Sequence, residues 1–136
     1  MCSIMGCLNA NVSKTRFTDG FNKTISRGPD DSRVVKISGG FIAFHRLAIM
    51  GLTEEGMQPF SFEKNLLVCN GEIYGFRKLK TELIKKGYKF KSDSDCEILL
   101  PLYSEYGVEL FTKLDAEFAV IIYDGEKNKL IAARDP

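Results

Sequence analysis

Apolar positions along this chain change their spacing several times, and each change marks an element. Residues 3–8, SIMGCL, form a short apolar run that reads as a strand starting immediately after Cys2. A polar stretch follows, with room for a short helix before RGPDDS at 27–32, a Gly-Pro turn signal. RVVKIS and FIAFHRLAI flank Gly39 and Gly40 and read as a β-hairpin. Residues 51–63, with Gly56 and Pro59, read as an irregular loop. LLVCNGE (66–72) is then a strand that ends in a turn.

The period next shifts to that of a helix. Phe76, Leu79, Leu83 and Ile84 recur at helical spacing, and Gly87 is the stop. A second helix starts near Ser94, where S-D-C-E matches a capping box with Ser94 as N-cap and Glu97 reaching back. Ile98, Leu99, Leu102, Tyr103 and Tyr106 would form its buried face. Pro101 inside it removes one hydrogen bond, to Glu97, and predicts a kink. EFAVIIYD (117–124) is apolar at nearly every position, so this strand should be covered on both faces. After a turn at 124–128, KLIAAR is the last strand. About six strands and two or three helices, with strands before and after the helical pair, predict a one-domain α+β layered fold with sheets at its centre.

The totals narrow the classes without choosing one. At 136 residues, 44% hydrophobic and 27% charged, the chain has the size and make-up of one soluble domain. A net charge of +1 gives no field to attract nucleic acid or an anionic membrane. No apolar run approaches the ~18 residues of a membrane span, and no basic-then-apolar leader opens the chain. The four cysteines, Cys2, Cys7, Cys69 and Cys96, include no C-x-x-C pair, and one histidine cannot complete a usual zinc set. The expectation is a cytoplasmic protein with free thiols and no metal.

Four places could carry chemistry. Once Met1 is removed, Cys2 places a thiol beside a free α-amine of pKa about 7.7–8.0, so one residue supplies nucleophile and base. Asn70 followed by Gly71 offers a side-chain amide beside a backbone N–H, the parts of an oxyanion hole, though an Asn-Gly pair is more commonly a plain turn. Arg46, at the end of an apolar strand, suits a bidentate grip on a carboxylate. Among Asp93, Asp95 and Glu97 one carboxylate could bind an ammonium, although acidic residues in a first helical turn also suit the helix itself. His45, the only histidine, reads as a structural residue because the amine already fills the role of base. The basic run from Arg77 to Lys91 reads as a solvated face.

Taken together, Cys2 with SIMG, RGPD (27–30), FHRLAI (44–49), GMQPF (56–60), NGEIY (70–74), SDCE (94–97) and ARDP (133–136) occur in one family's order and spacing. The chain resembles the glutaminase domain of glutamine-dependent asparagine synthetase, a class II glutamine amidotransferase of the N-terminal-nucleophile hydrolase type. The resemblance runs its full length. It implies an αββα four-layer sandwich in which Cys2 attacks the carboxamide of L-glutamine and Asn70 and Gly71 hold the oxyanion. Arg46 would bind the substrate α-carboxylate, Asp95 its α-ammonium, and Leu47, Ala48, Ile49, Met50 and Glu72 would line the pocket. The product would be ammonia for asparagine synthesis.

Two departures accompany the match. Gly75 stands where the family usually has Asn, and the chain ends at Pro136 where the family's sandwich continues, so an incomplete domain with unpaired sheet edges is implied. No cofactor is expected in this chain. ATP and magnesium would belong to an absent synthetase domain, or to a separate chain that receives the ammonia. The alternatives are a catalytically silent glutamine-binding or interaction module, a remnant, and an amidotransferase serving another acceptor acid.

Overall fold

The computed structural model describes residues 1–8, 11–50 and 52–136. β1 (Ser3–Leu8), β2 (Asp31–Ile37) and β3 (Gly40–Arg46) form an antiparallel sheet in the order β1-β3-β2. β4 (Phe60–Phe62), β5 (Asn65–Ile73), β6 (Ala116–Asp124) and β7 (Lys129–Arg134) form a second antiparallel sheet in chain order. The helices are α1 (Lys14–Asn22), α2 (Phe76–Lys85) and α3 (Leu99–Tyr106). The chain is therefore mixed α+β with two sheets.

Strand alternation sorts the side chains into three cores. Along β3, Phe41 and Ala43 turn toward α1 and pack with its Phe17 and Phe21. Those two phenylalanines sit one helical turn apart, and burying each contributes roughly 1.5–3 kcal/mol. Ile42 and Phe44 turn the other way, joining Ile37, Val68 and Tyr123 in a core between the two sheets. The same parity sends His45 to the α1 face and Arg46 to the inter-sheet face. On β5, Leu67, Cys69 and Ile73 join the largest core, with Phe76 and Leu83 of α2 and Leu99 and Leu102 of α3. Leu66 and Val68 face the first sheet, and so do Asn70 and Glu72 by parity. β6 is covered on both faces as its sequence predicts, Val120 and Ile122 on the helix side, Ile121 and Tyr123 between the sheets.

Several local expectations need correction. The stretch predicted as an irregular loop holds a 3-10 turn at Glu54–Gly56 and the short strand β4, which makes seven strands among the described residues; residue 51 lies outside them. The Asn-Gly pair is no turn: β5 runs on to Ile73, with Gly71 paired opposite Phe118. Glycine is required there because a Cβ would lie 2.3 Å from the Glu117 carbonyl oxygen. The chain turns instead at Gly75, whose φ of 63° is left-handed. Glycine enters that region without steric penalty.

Gly87 does end α2, with Tyr88 N–H donating to Leu83 O and Gly87 N–H to Ile84 O, but Ile84 is 53% exposed rather than part of the buried face. Beyond it, Asp95–Ile98 forms a 3-10 turn and α3 starts only at Leu99. Pro101 then lies in the first turn of α3, where its missing N–H has no helical partner to lose, so no kink is required. Ser94 makes no side-chain cap bond, and Glu97 turns to the Ser92 hydroxyl and the N–H groups of Lys91 and Ser92. Tyr106 is 39% exposed.

Candidate active site

The end of β3, the middle of β5, the start of β1 and the 3-10 turn after Ser94 open onto one cleft of ≈ 590 Å³. Cys2, Arg46, Leu47, Ile49, Met50, Asn70, Gly71, Glu72 and Asp95 all line it. Ala48 does not. Its N–H is turned to the Asp30 carboxylate at 2.8 Å, so it serves the shape of the segment instead of the cleft wall.

The Cys2 sulfur lies against Leu47, 3.4 Å from its N and 3.6 Å from its O. The RGPD segment holds both sides of that contact. Arg27 Nε donates to the Cys2 carbonyl at 3.3 Å, and Asp30 N–H donates to Arg46 O at 3.0 Å. Gly28 packs so closely on β3 that a Cβ would meet His45 O at 2.4 Å. Arg46 is 8% exposed, reaches Thr53 O at 3.2 Å and lines the cleft, which makes it a buried guanidinium at the cleft wall.

Strand geometry decides which way the Gly71 N–H points. In β5 the N–H of Cys69 faces the β4 side, where it meets Gln58 at 2.6 Å. Gly71, two residues on, faces the same side. Its opposite number agrees: Phe118 directs its N–H and C=O to Asp135, away from Gly71. With β4 ending at Phe60, the Gly71 N–H is directed past the edge of the sheet into the cleft. An extended strand, not a turn, thus brings this donor and the Asn70 side chain to the same place.

Asp95 is the one acidic residue of its group in the cleft. It is 4% exposed, and its oxygens accept from Ile73 N–H at 2.7 Å and Cys96 N–H at 3.0 Å. The carboxylate is fixed in direction yet keeps unused lone pairs for a cation. Asp93 is in solvent, and Glu97 is spent on Ser92.

Sequence reasoning missed other parts of the lining: Gln58, Cys69, Cys96, Ala119 and Arg134. GMQPF was visible as a motif, but nothing in its spacing shows where Gln58 goes. A hydrogen bond to Cys69 and burial push the Cys96 thiol well above the ordinary cysteine range. It stays protonated and a poor nucleophile. Met1 also lines the cleft and is 66% exposed.

These residues face each other across two sheets, and the whole chain shares its pattern with a known group. Residues 1–136 match the family described as the glutamine amidotransferase domain, and the chain belongs to that family. It is 38% identical over 148 residues to a probable asparagine synthetase (glutamine-hydrolyzing) of Dictyostelium discoideum, covering 100% of this chain and 26% of that protein. It is 41% identical to a protein of the same printed name from Acanthamoeba polyphaga mimivirus, over 99% of this chain and 26% of the relative. A Schizosaccharomyces pombe protein of that name is 45% identical over 81% of this chain and 20% of its own length. The chain thus spans about a quarter of the length of the relatives it matches. No helix among the described residues is long and apolar enough to cross a membrane.

Proposed function

We propose that this chain hydrolyses L-glutamine to glutamate and ammonia through a thioester on Cys2, and that the ammonia feeds asparagine synthesis by a synthetase domain or chain. The observation that carries the reading is the convergence of Cys2, Arg46, Asn70, Gly71 and Asp95, from four separate segments, on one cleft. Family membership supports the substrate, and the relatives' printed names support the destination of the ammonia. The packing order, with α1 on one sheet, that sheet on the second, and α2 and α3 beyond, is the reason to read the fold as an αββα sandwich of the N-terminal-nucleophile type.

In this mechanism Arg46 grips the α-carboxylate and Asp95 the α-ammonium, so the side-chain carboxamide reaches Cys2. Loss of Met1 frees the α-amine, which takes the thiol proton as sulfur bonds to the carboxamide carbon. Asn70 and the Gly71 N–H stabilise the oxyanion, and such a donor contributes ~3 kcal/mol. The proton passes to the leaving nitrogen, the C–N bond breaks and ammonia departs. Water then cleaves the γ-glutamyl thioester, regenerating the thiol and releasing glutamate. Backbone at 47–50 and Glu72 shape the pocket.

The test is an intact mass before and after treatment with a diazo-ketone norleucine analogue of glutamine, which alkylates a thiol with loss of N₂. Loss of Met1 and a single adduct that is absent in Cys2→Ala, together with ammonia release from glutamine, is the expected result. A processed N-terminus that takes no adduct and releases no ammonia would sink the reading and leave a silent binding module.

A further inference from the structure

We propose that Gln58 is a positioning residue for the oxyanion donors, acting by pinning the backbone of Cys69 beside Asn70. The inference rests on the glutaminase reading and adds a residue to it. β4 pairs Phe60 with Leu67, so its continuation would set Pro59 beside Val68 and Gln58 beside Cys69. The ladder between β4 and β5 stops at Phe60 and Leu67. The Gln58 side chain takes over: Cys69 N–H donates to Oε1 at 2.6 Å, and Nε2 donates to Cys69 O at 3.1 Å. One amide side chain thereby substitutes for a strand neighbour, both bonds being buried and Gln58 itself 5% exposed.

The location gives this clamp a function beyond stability. Cys69 immediately precedes Asn70, and on this edge of β5 the next hold is the Asp95 carboxylate on Ile73 N–H, with β6 the strand partner on the other edge. Freed of Gln58, Cys69 could rotate its peptide planes, and Asn70 and Gly71 would lose their shared aim at one point. A misplacement of about 1 Å suffices to cost ~10²-fold in rate at a catalytic centre. Because oxyanion donors act on the charge that develops in the transition state, the loss falls on kcat and leaves glutamine affinity nearly untouched.

The experiment is a double-mutant cycle on the processed chain, with rates expressed per site titrated by the diazo-ketone analogue. Gln58→Met keeps length and bulk without hydrogen bonds and is expected to lower kcat about 10-fold with KM within about 2-fold. Asn70→Ala is expected to lower kcat about 10²-fold. The pair together should lose less than the product of the two single losses, because part of the Gln58 effect passes through Asn70. A Gln58→Met chain with unchanged kcat per titrated site, or losses that multiply in the double variant, overturns the positioning role. Where Gln58→Met does not fold, Gln58→Glu, which keeps the acceptor for Cys69 N–H, is put through the same cycle. A native-sequence chain that neither takes the label nor hydrolyses glutamine overturns the glutaminase reading and this inference with it. Labelling and hydrolysis by that chain, with an additive cycle, removes this inference alone.

Discussion

His45 and Arg46 are neighbours in the chain with opposite uses, and parity in β3 is the reason. His45 is fully buried, stacked on Phe21 with ring centroids 3.7 Å apart. Its Nε2 lies 3.2 Å from the Phe21 carbonyl oxygen and its Nδ1 2.7 Å from the Ser32 hydroxyl, so both ring nitrogens are engaged. The imidazole bolts α1 to its sheet and has no nitrogen left for catalysis, in line with the structural role its sequence context suggested. His45→Ala should therefore cost about 2–4 kcal/mol in denaturant unfolding, through lost packing and an orphaned carbonyl, while KM for glutamine in the folded fraction stays near its starting value. Arg46→Lys should do the reverse. A lysine cannot reproduce the bidentate fork, so KM should rise at least about 10-fold with little change in stability. Steady-state kinetics beside an unfolding curve separates the two.

Elements were legible where their pattern was long. Nine residues of β6 and the Phe76–Leu83 face of α2 carry enough repeats to be read directly. β4 has three residues and no period to detect. The Asn-Gly pair misleads because strand pairing overrode a local turn preference, and the Gly71 N–H reaches the cleft by alternation alone. Cys2, Arg46, Asn70, Gly71 and Asp95, which meet at one cleft, were identifiable as candidates by residue type, whereas the side chains that hold the backbone around them were not. Gln58 holds Cys69, Asp30 holds Arg46 and Ala48, and Asp135 holds Phe118 by both its N–H and its carboxylate. Each includes a side chain bonded to backbone 11 to 18 residues away, a relation with no periodic trace. Asp30 permits a direct check. Asp30→Ala should raise KM for glutamine several-fold by freeing Ala48 N–H, and Asp30→Asn, which keeps an acceptor oxygen, should restore most of it. Equal effects of the two substitutions would show that charge, not the backbone bond, is what matters.

At the scale of the molecule, a buried polar bond ties α3 to the second sheet as His45 ties α1 to the first: Tyr103 of α3 donates to Asp124 of β6 at 2.7 Å. Burial first, then this bond, pushes the Tyr103 hydroxyl up to about 12. Burial alone would raise Asp124, but the bonds from Tyr103 and from the backbone of Lys127 and Glu126 outweigh it and hold the carboxyl below its usual range. The signs differ. Tyr103 contributes stability that is complete below the unfolded tyrosine value of about 10 and is lost as pH rises toward 12. Asp124 contributes above the unfolded value of about 3.9 and fails as pH falls below it. Tyr103→Phe should cost about 1.5–3 kcal/mol near neutrality and flatten the alkaline arm of a stability–pH curve; an unchanged alkaline arm would refute the assignment. The Cys2–Leu47 contact carries a different consequence, one of timing. It spans 45 residues, whereas β2 and β3 pair as a local hairpin. Such non-local closure comes late in folding. A nascent or partly folded chain therefore has a cysteine but no nucleophile seat, and during refolding the diazo-ketone label should become competent in the same kinetic phase that restores native tyrosine fluorescence.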